Sequence, residues 1–181
     1  AHFYQLILQA IAQGLRQFVV LTGTDTLSYL AAFLAECFAG SHISIVVTGA
    51  MRPLLDSNVL TDYLIDTQSD ATQNLFDACK LARHGEAGVR VCFSGEDWPA
   101  QTVQKIHSHD LMAFVGHHRA GYPANSYTAK ITQAQHQLWL EDRLSQLPQV
   151  FDSLSHANIA TLYLTPVDTQ LLATRLDNLL S

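Results

Sequence analysis

Two short, continuously apolar runs, Phe18-Val19-Val20-Leu21 and Ile43 to Val47, constrain the fold more than any other feature of the chain. Each is too short for a helix, and each is apolar on successive residues, as in a strand covered on both faces. Between them Leu27, Leu30, Ala31, Leu34 and Phe38 recur at helical spacing, and Gly40 ends the pattern. The strand starts lie about 25 residues apart, the length of a βαβ crossover, so the two strands are expected to be parallel neighbours. A third run, Val89 to Phe93, follows a helical pattern over Asn74 to Ala82 that stops at His84-Gly85. This βαβαβ alternation implies an α/β fold, a mostly parallel sheet with flanking helices.

The rest of the chain adds boundaries. Phe3, Leu6, Ile7, Ala10 and Ile11 form one face of a helix that Gly14 can end. Ala1 to Gly14 shows neither a basic leader nor a small-residue cleavage site, so it reads as the interior of a longer protein. From Ser94 to Tyr127 the pattern loosens into turns and short strands, with Thr102 to Ile106 and Ser126 to Ile131 as the strand candidates. These are expected to form connections to an antiparallel edge. Glu141 to Ala157 is polar and uneven, and Leu147-Pro148 is expected to break any helix there. The expected organisation is an α/β domain over residues 1–140, a linker over 141–157 and the opening strand and helix of a second α/β domain over 158–181.

Composition excludes several classes of function. The 181 residues are 48% apolar and 14% charged, which fits a globule with large buried elements and not a disordered chain. Ten Lys plus Arg against 16 Asp plus Glu give a net charge of −6, so there is no electrostatic footprint for nucleic acid or an anionic membrane. No apolar stretch reaches the roughly 18 residues of a membrane span. Cys37, Cys79 and Cys92 are odd in number and sit in apolar patterns, which reads as buried free thiols in a reducing compartment.

Ligands of an open α/β sheet bind beyond the carboxyl ends of its strands, where helix N-termini offer free N–H groups. Gly23, Thr24 and Asp25 fall there after the first strand, and Thr48-Gly49-Ala50 after the second. A threonine hydroxyl supplies a nucleophile or hydrogen-bond partner, and a carboxylate can hold an ammonium group. Thr and Asp after a glycine are also what an ordinary helix N-terminus prefers, so capping is the competing reading.

The segment Thr22-Gly23-Thr24-Asp25-Thr26, followed by Thr48-Gly49-Ala50-Met51-Arg52-Pro53, resembles the L-asparaginase/glutaminase family of amidohydrolases. Two more elements of that family have counterparts in order. Ser69-Asp70-Ala71 with Asn74-Leu75 and Ala78 resembles its S/A-D-G…N-L element, and Val103-Gln104-Lys105 with Ala113-Phe114 resembles its lysine-bearing strand. Thr22 stands where the family usually has histidine, and Ala71 where it has glycine. The family's first strand, with a T-G-G-T-I-type motif carrying the first catalytic threonine, has no counterpart before Phe18.

The resemblance implies hydrolysis of asparagine, with glutamine as the alternative substrate, through a threonine nucleophile and an acyl-enzyme, with no cofactor or metal. It assigns Thr24 as the second catalytic threonine, Asp25 as the carboxylate that grips the substrate amino group, and Lys105 as the base partner of Thr24. Gly23, Thr24, Asp25 and the Ala50 backbone would border the substrate. A cytoplasmic location and a homodimer or homotetramer are further implications, and the chain would be a fragment, inactive alone. The alternative is a non-catalytic amino-acid-binding or interaction module on the same fold. His107-Ser108-His109 and His117-His118 lack a well-spaced third metal ligand and read as surface histidines. Glu96-Asp97-Trp98 reads as a turn.

Overall fold

Strand β2 (Ser44–Thr48) is buried at every residue, because parallel strands lie on both sides of it and both of its faces are covered. β1 (Gln17–Leu21) and β3 (Gly88–Phe93) flank it in parallel, with Val19 opposite Val46 and Val46 opposite Arg90. β4 (Glu96–Pro99) closes the sheet antiparallel to β3, in the order β1-β2-β3-β4. The structure, a computed structural model, describes residues 2–56, 63–85, 87–117 and 132–156. The strand candidate Ser126 to Ile131, His118, and the proposed second-domain strand and helix lie outside these residues.

Helix α2 (Leu27–Cys37) connects β1 to β2, and α3 (Ala71–His84) connects β2 to β3. Alternation along the strands sends Val19, Val46 and Cys92 to one face, where Ala78, Ala82 and Leu81 of α3 pack on them. Ile45, Val47 and Val91 point to the other face and are equally buried. α2 packs against β2, β3 and the 3-10 turn Ala100–Thr102 through Leu27, Ala31 and Leu34. α3 begins three residues before the expected Asn74, and ends where Gly85 takes a left-handed conformation at φ 71°. Ala71, in place of glycine, is simply the first residue of this helix, a position that needs no positive φ.

Four expectations are corrected. Glu96-Asp97-Trp98 is strand and not turn; the turn is the two-residue Ser94-Gly95 loop, with both φ angles positive as a tight hairpin requires (52° and 81°). Asp97 pairs there with Arg90 of β3 across the two antiparallel strands. In α1 (His2–Ala12) the buried stripe is Tyr4, Ile7, Leu8 and Ile11, while Phe3 and Leu6 are exposed. Apolar residues run round most of α1, so the packing of Tyr4 edge-on to Phe38 at 5.3 Å decides its rotation. Of the cysteines only Cys92 is buried, with burial pushing its thiol pKa up to about 11; Cys37 is half-buried and Cys79 exposed, all three free.

The last correction concerns α4 (Gln133–His156), which runs through Pro148 without a break. Proline removes one internal hydrogen bond, but this helix is anchored at its start by a reciprocal cap. Gln135 N–H donates to Thr132 Oγ1, and Thr132 N–H donates to Gln135 Oε1. The pairs Gln137–Glu141 and Gln146–Asp142, one turn apart, add local support. The chain divides into two compact units at this proline, Ala1–Leu147 and Pro148–Ser181.

Within the first unit, α4 brings Trp139 to within 6.2 Å of Phe38 and stacks His136 on Trp139 at 5.9 Å. His136 is 8% exposed, and neither ring nitrogen has a hydrogen-bond partner. Burial, then Arg16 and His42, lowers its pKa below the ordinary value. Because the unfolded chain binds this proton more readily, the stability contributed by neutral His136 is complete above pH ~6.5 and is lost as pH falls below it. Thermal unfolding at pH 7.5 and 5.5 is therefore expected to show a fall in melting temperature that is smaller in His136→Phe. An equal fall in both would refute this.

Candidate active site

At the carboxyl end of β1 the chain leaves the sheet through Thr22 and Gly23 and enters α2. The Thr22 N–H still donates to the Thr48 carbonyl of β2 at 3.0 Å, which holds the two strand ends side by side. Thr26 is the N-cap of α2 and makes no side-chain cap bond; its hydroxyl donates to the Gly23 carbonyl at 3.2 Å. Thr24 and Asp25 thus lie in the turn before the helix.

The side chains of Thr24 and Asp25 both meet Lys105. Lys105 Nζ donates to Thr24 Oγ1 at 2.9 Å and to Asp25 Oδ1 at 2.7 Å, across about 80 residues of sequence. Two packing contacts account for that reach. The 3-10 turn packed on α2 lies just upstream of β5 (Gln104–Lys105), so it delivers the lysine beside the start of α2. β5 pairs antiparallel with β6 (Phe114–Val115), where Phe114 stands opposite Lys105 and rests its ring 4.8 Å from Phe93 of β3. The expected strand Thr102 to Ile106 is therefore shortened to two residues by the 3-10 turn.

The Lys105 side chain is 19% exposed and that of Asp25 93%. The ammonium is held among protein groups while the carboxylate keeps its second oxygen open to solvent, where a ligand cation could reach it. The Lys105 hydrogen bond and charge hold the Asp25 carboxyl below its ordinary pKa. That pairing persists in weak acid and is lost only as pH falls through the lowered value.

The end of β2 is organised by Asp70 and Asn74, which stand at the start of α3. Asp70, the N-cap of α3, makes no side-chain cap bond to its helix. Its carboxylate accepts the backbone N–H of Met51 at 3.0 Å and of Arg52 at 2.9 Å. Asn74, 1% exposed, donates from Nδ2 to the Gly49 carbonyl and to Asp70 Oδ2, both at 3.0 Å. Its Oδ1 accepts the N–H of Ser94 at 2.9 Å. The i, i+4 spacing of an acid and an amide before an apolar helix face was the signal available, and it does not say which backbone the pair will hold.

Gly49 lies so close to β1 that a Cβ there would collide with the Thr22 carbonyl oxygen. Gly49→Ala is expected to cost about 2 kcal/mol of unfolding free energy, measured by denaturant titration, because backbone on both sides must shift. An unchanged midpoint would refute the close approach.

Residues 1–139 match the family profile described as Asparaginase, N-terminal. The chain belongs to the asparaginase family. It is similar to an L-asparaginase of Thermococcus kodakarensis, 30% identical over 149 residues, covering 82% of this chain and 40% of that one. It is also similar to a glutamyl-tRNA(Gln) amidotransferase subunit of Methanococcus maripaludis, 27% identical over 184 residues, covering 95% of this chain and 40% of that one. Among solved structures it resembles a probable cytoplasmic L-asparaginase from Campylobacter jejuni, with a TM-score of 0.54 at 30% identity, over 64% of this chain and 35% of that one. The chain spans about two fifths of the length of the two curated relatives. Its mostly parallel sheet with helices is the asparaginase N-terminal α/β fold.

Among the described residues, no group of three or more His, Cys, Asp or Glu side chains is arranged to hold a metal. His107 and His109 are exposed. No described helix is long and apolar enough to cross a membrane.

Proposed function

We propose that this chain contributes the asparaginase N-terminal domain to an enzyme that hydrolyses L-asparagine to L-aspartate and ammonia. The observation that carries the reading is the Lys105 ammonium bridging Thr24 Oγ1 and Asp25 Oδ1 at the carboxyl end of the sheet. A threonine hydroxyl is a weak nucleophile until a neighbouring group takes its proton; in this reading Lys105, which donates to Thr24 Oγ1 and is held in place by Asp25, takes that proton after handing on one of its own.

In this reading the first catalytic threonine comes from outside residues 1–181 and attacks the side-chain amide carbon. The C–N bond breaks, the nitrogen takes up a proton and leaves as ammonia, and an acyl ester remains. Thr24, with Lys105 exchanging its proton, serves the leaving group or the water that cleaves the ester. Asp25 holds the α-ammonium of the substrate through its open oxygen, and Gly23 and the Ala50 backbone line the same crevice. Backbone N–H groups at the strand ends stabilise the oxyanion. The site residues are organic acid–base groups, and the reading uses no cofactor. A cytoplasmic location and a homodimer or homotetramer complete the proposal.

The test is ammonia release by the full-length protein from asparagine and from glutamine, beside calorimetric titration with aspartate. Release from asparagine is the expected result. Aspartate binding without release from either amide would replace the reading with an amino-acid-binding module. Release confined to glutamine would favour the amidotransferase-like relative as the functional guide.

A further inference from the structure

We infer that Asp70 and Asn74 form a backbone clamp that aims both main-chain groups of Ala50 at the substrate, which makes them positioning residues for the proposed amide hydrolysis. The inference rests on that proposed function and concerns how its crevice wall is built.

Ala50 joins two peptide units. In the unit before it, the Gly49 carbonyl is pinned by Asn74 Nδ2 at 3.0 Å. In the unit after it, the Met51 N–H is pinned by both carboxylate oxygens of Asp70, at 3.1 and 3.0 Å. In a trans peptide the C=O and the N–H point in opposite directions. Drawing the Gly49 carbonyl toward α3 therefore turns the Ala50 N–H away from α3, and drawing the Met51 N–H toward α3 turns the Ala50 carbonyl away likewise. One acid and one amide, a helical turn apart, thus set the direction of a donor and an acceptor that belong to neither of them.

The clamp is itself fixed. Asn74 Nδ2 also donates to Asp70 Oδ2, and Asn74 Oδ1 takes the N–H of Ser94, a residue held at φ 52° in the β3–β4 turn. Asn74 is almost fully buried, so its amide cannot rotate to trade donor for acceptor without stranding a partner. The carbonyl it holds is one residue from Ala50, and the strand end it belongs to is tied to the β1 end that leads to Thr24. A donor–acceptor pair of this kind fits the edge of a carboxamide, which offers one carbonyl oxygen and an NH2 group in its plane.

Two experiments test the inference. In the wild-type protein, amide hydrogen exchange read by NMR should protect Met51 and Arg52, which donate to Asp70, and leave Ala50 in faster exchange. Ala50 protected as strongly as Met51 would overturn the inference, and this arm needs no catalytic activity. The second arm compares Asn74→Asp with the double exchange Asp70→Asn/Asn74→Asp in the full-length protein. The single variant keeps the acceptor for Ser94, loses the donor to Gly49 and sets two carboxylates together. The double variant replaces two facing carboxylates with one hydrogen-bonded amide–carboxylate pair, which relieves their repulsion and recovers melting temperature relative to the single variant, but residue 74 still offers no amide donor to the Gly49 carbonyl. Its kcat/KM for asparagine should remain down by about 10²-fold, the cost of a slight misplacement, with the fall mainly in kcat. Activity that recovers together with the melting temperature would show a merely structural pair and overturn the inference. If the wild type releases no ammonia, the proposed function fails, while the exchange experiment still decides whether the clamp exists.

Discussion

Lys105→Met is expected to lower kcat for asparagine hydrolysis by about 10³- to 10⁴-fold in the full-length protein, with the melting temperature little changed. Methionine keeps most of the side-chain length, so the substitution removes the amine and leaves an apolar stem. Two bonds disappear together, those to Thr24 and to Asp25. The hydroxyl of Thr24 then has no described neighbour able to share its proton, and Asp25 loses the cation that lowers its pKa. Steady-state ammonia release at saturating asparagine measures the effect. A variant that turns over at near-wild-type kcat would remove Lys105 from the chemistry.

Asp25→Asn is expected to act differently, lowering kcat/KM by about 10³-fold through a raised KM as well as a reduced kcat. The amide preserves shape and one acceptor for Lys105 but removes the charge that pairs with the lysine and that, in the proposed reaction, also holds the substrate ammonium. The pH profile separates these roles from a structural one. In the wild type, activity that depends on the Asp25 carboxylate should persist below the ordinary carboxylate range, since Lys105 holds its pKa down, and should fall only as that lowered value is crossed. Asp25→Asn should lose this acid limb. An unchanged KM together with an unchanged acid limb would show that Asp25 does not contact substrate.

The parallel core was legible because its strands are continuous apolar runs, and such runs keep their meaning wherever the chain goes. Val19, Val46 and Cys92 could be assigned to strands from their neighbours alone, and Gly85 to a helix end. β4 was not legible, since Glu96 and Asp97 stand together in a strand of four residues and only Trp98 and Pro99 are apolar; the sign of it was the Ser94-Gly95 dipeptide, a tight-turn signal. The start of α4 also carried a readable mark, Thr132-x-x-Gln135, which is a capping box. The rotation of α1 carried none, because two apolar stripes compete and only contact with Phe38 chooses between them.

The site divides in the same way. Thr24 and Asp25 stood at a strand end, where the fold class alone makes residues interesting. Lys105, on a two-residue strand, has no periodicity to expose it, and came into view only through resemblance to a family. Asp70 and Asn74 stood out only as counterparts of a family element, and the structure shows what their side chains do: they leave the helix to hold the backbone of the β2 turn. Local chemistry identifies which groups a segment offers, and only tertiary placement identifies which partners they take.

The central claim, that the hydroxyl of Thr24 takes part in amide hydrolysis beside Lys105, is tested most directly by Thr24→Val. Valine matches the shape of threonine and removes only its hydroxyl. In the full-length protein, ammonia release from asparagine should fall by about 10³-fold while aspartate still binds. Release at the wild-type rate would contradict the claim.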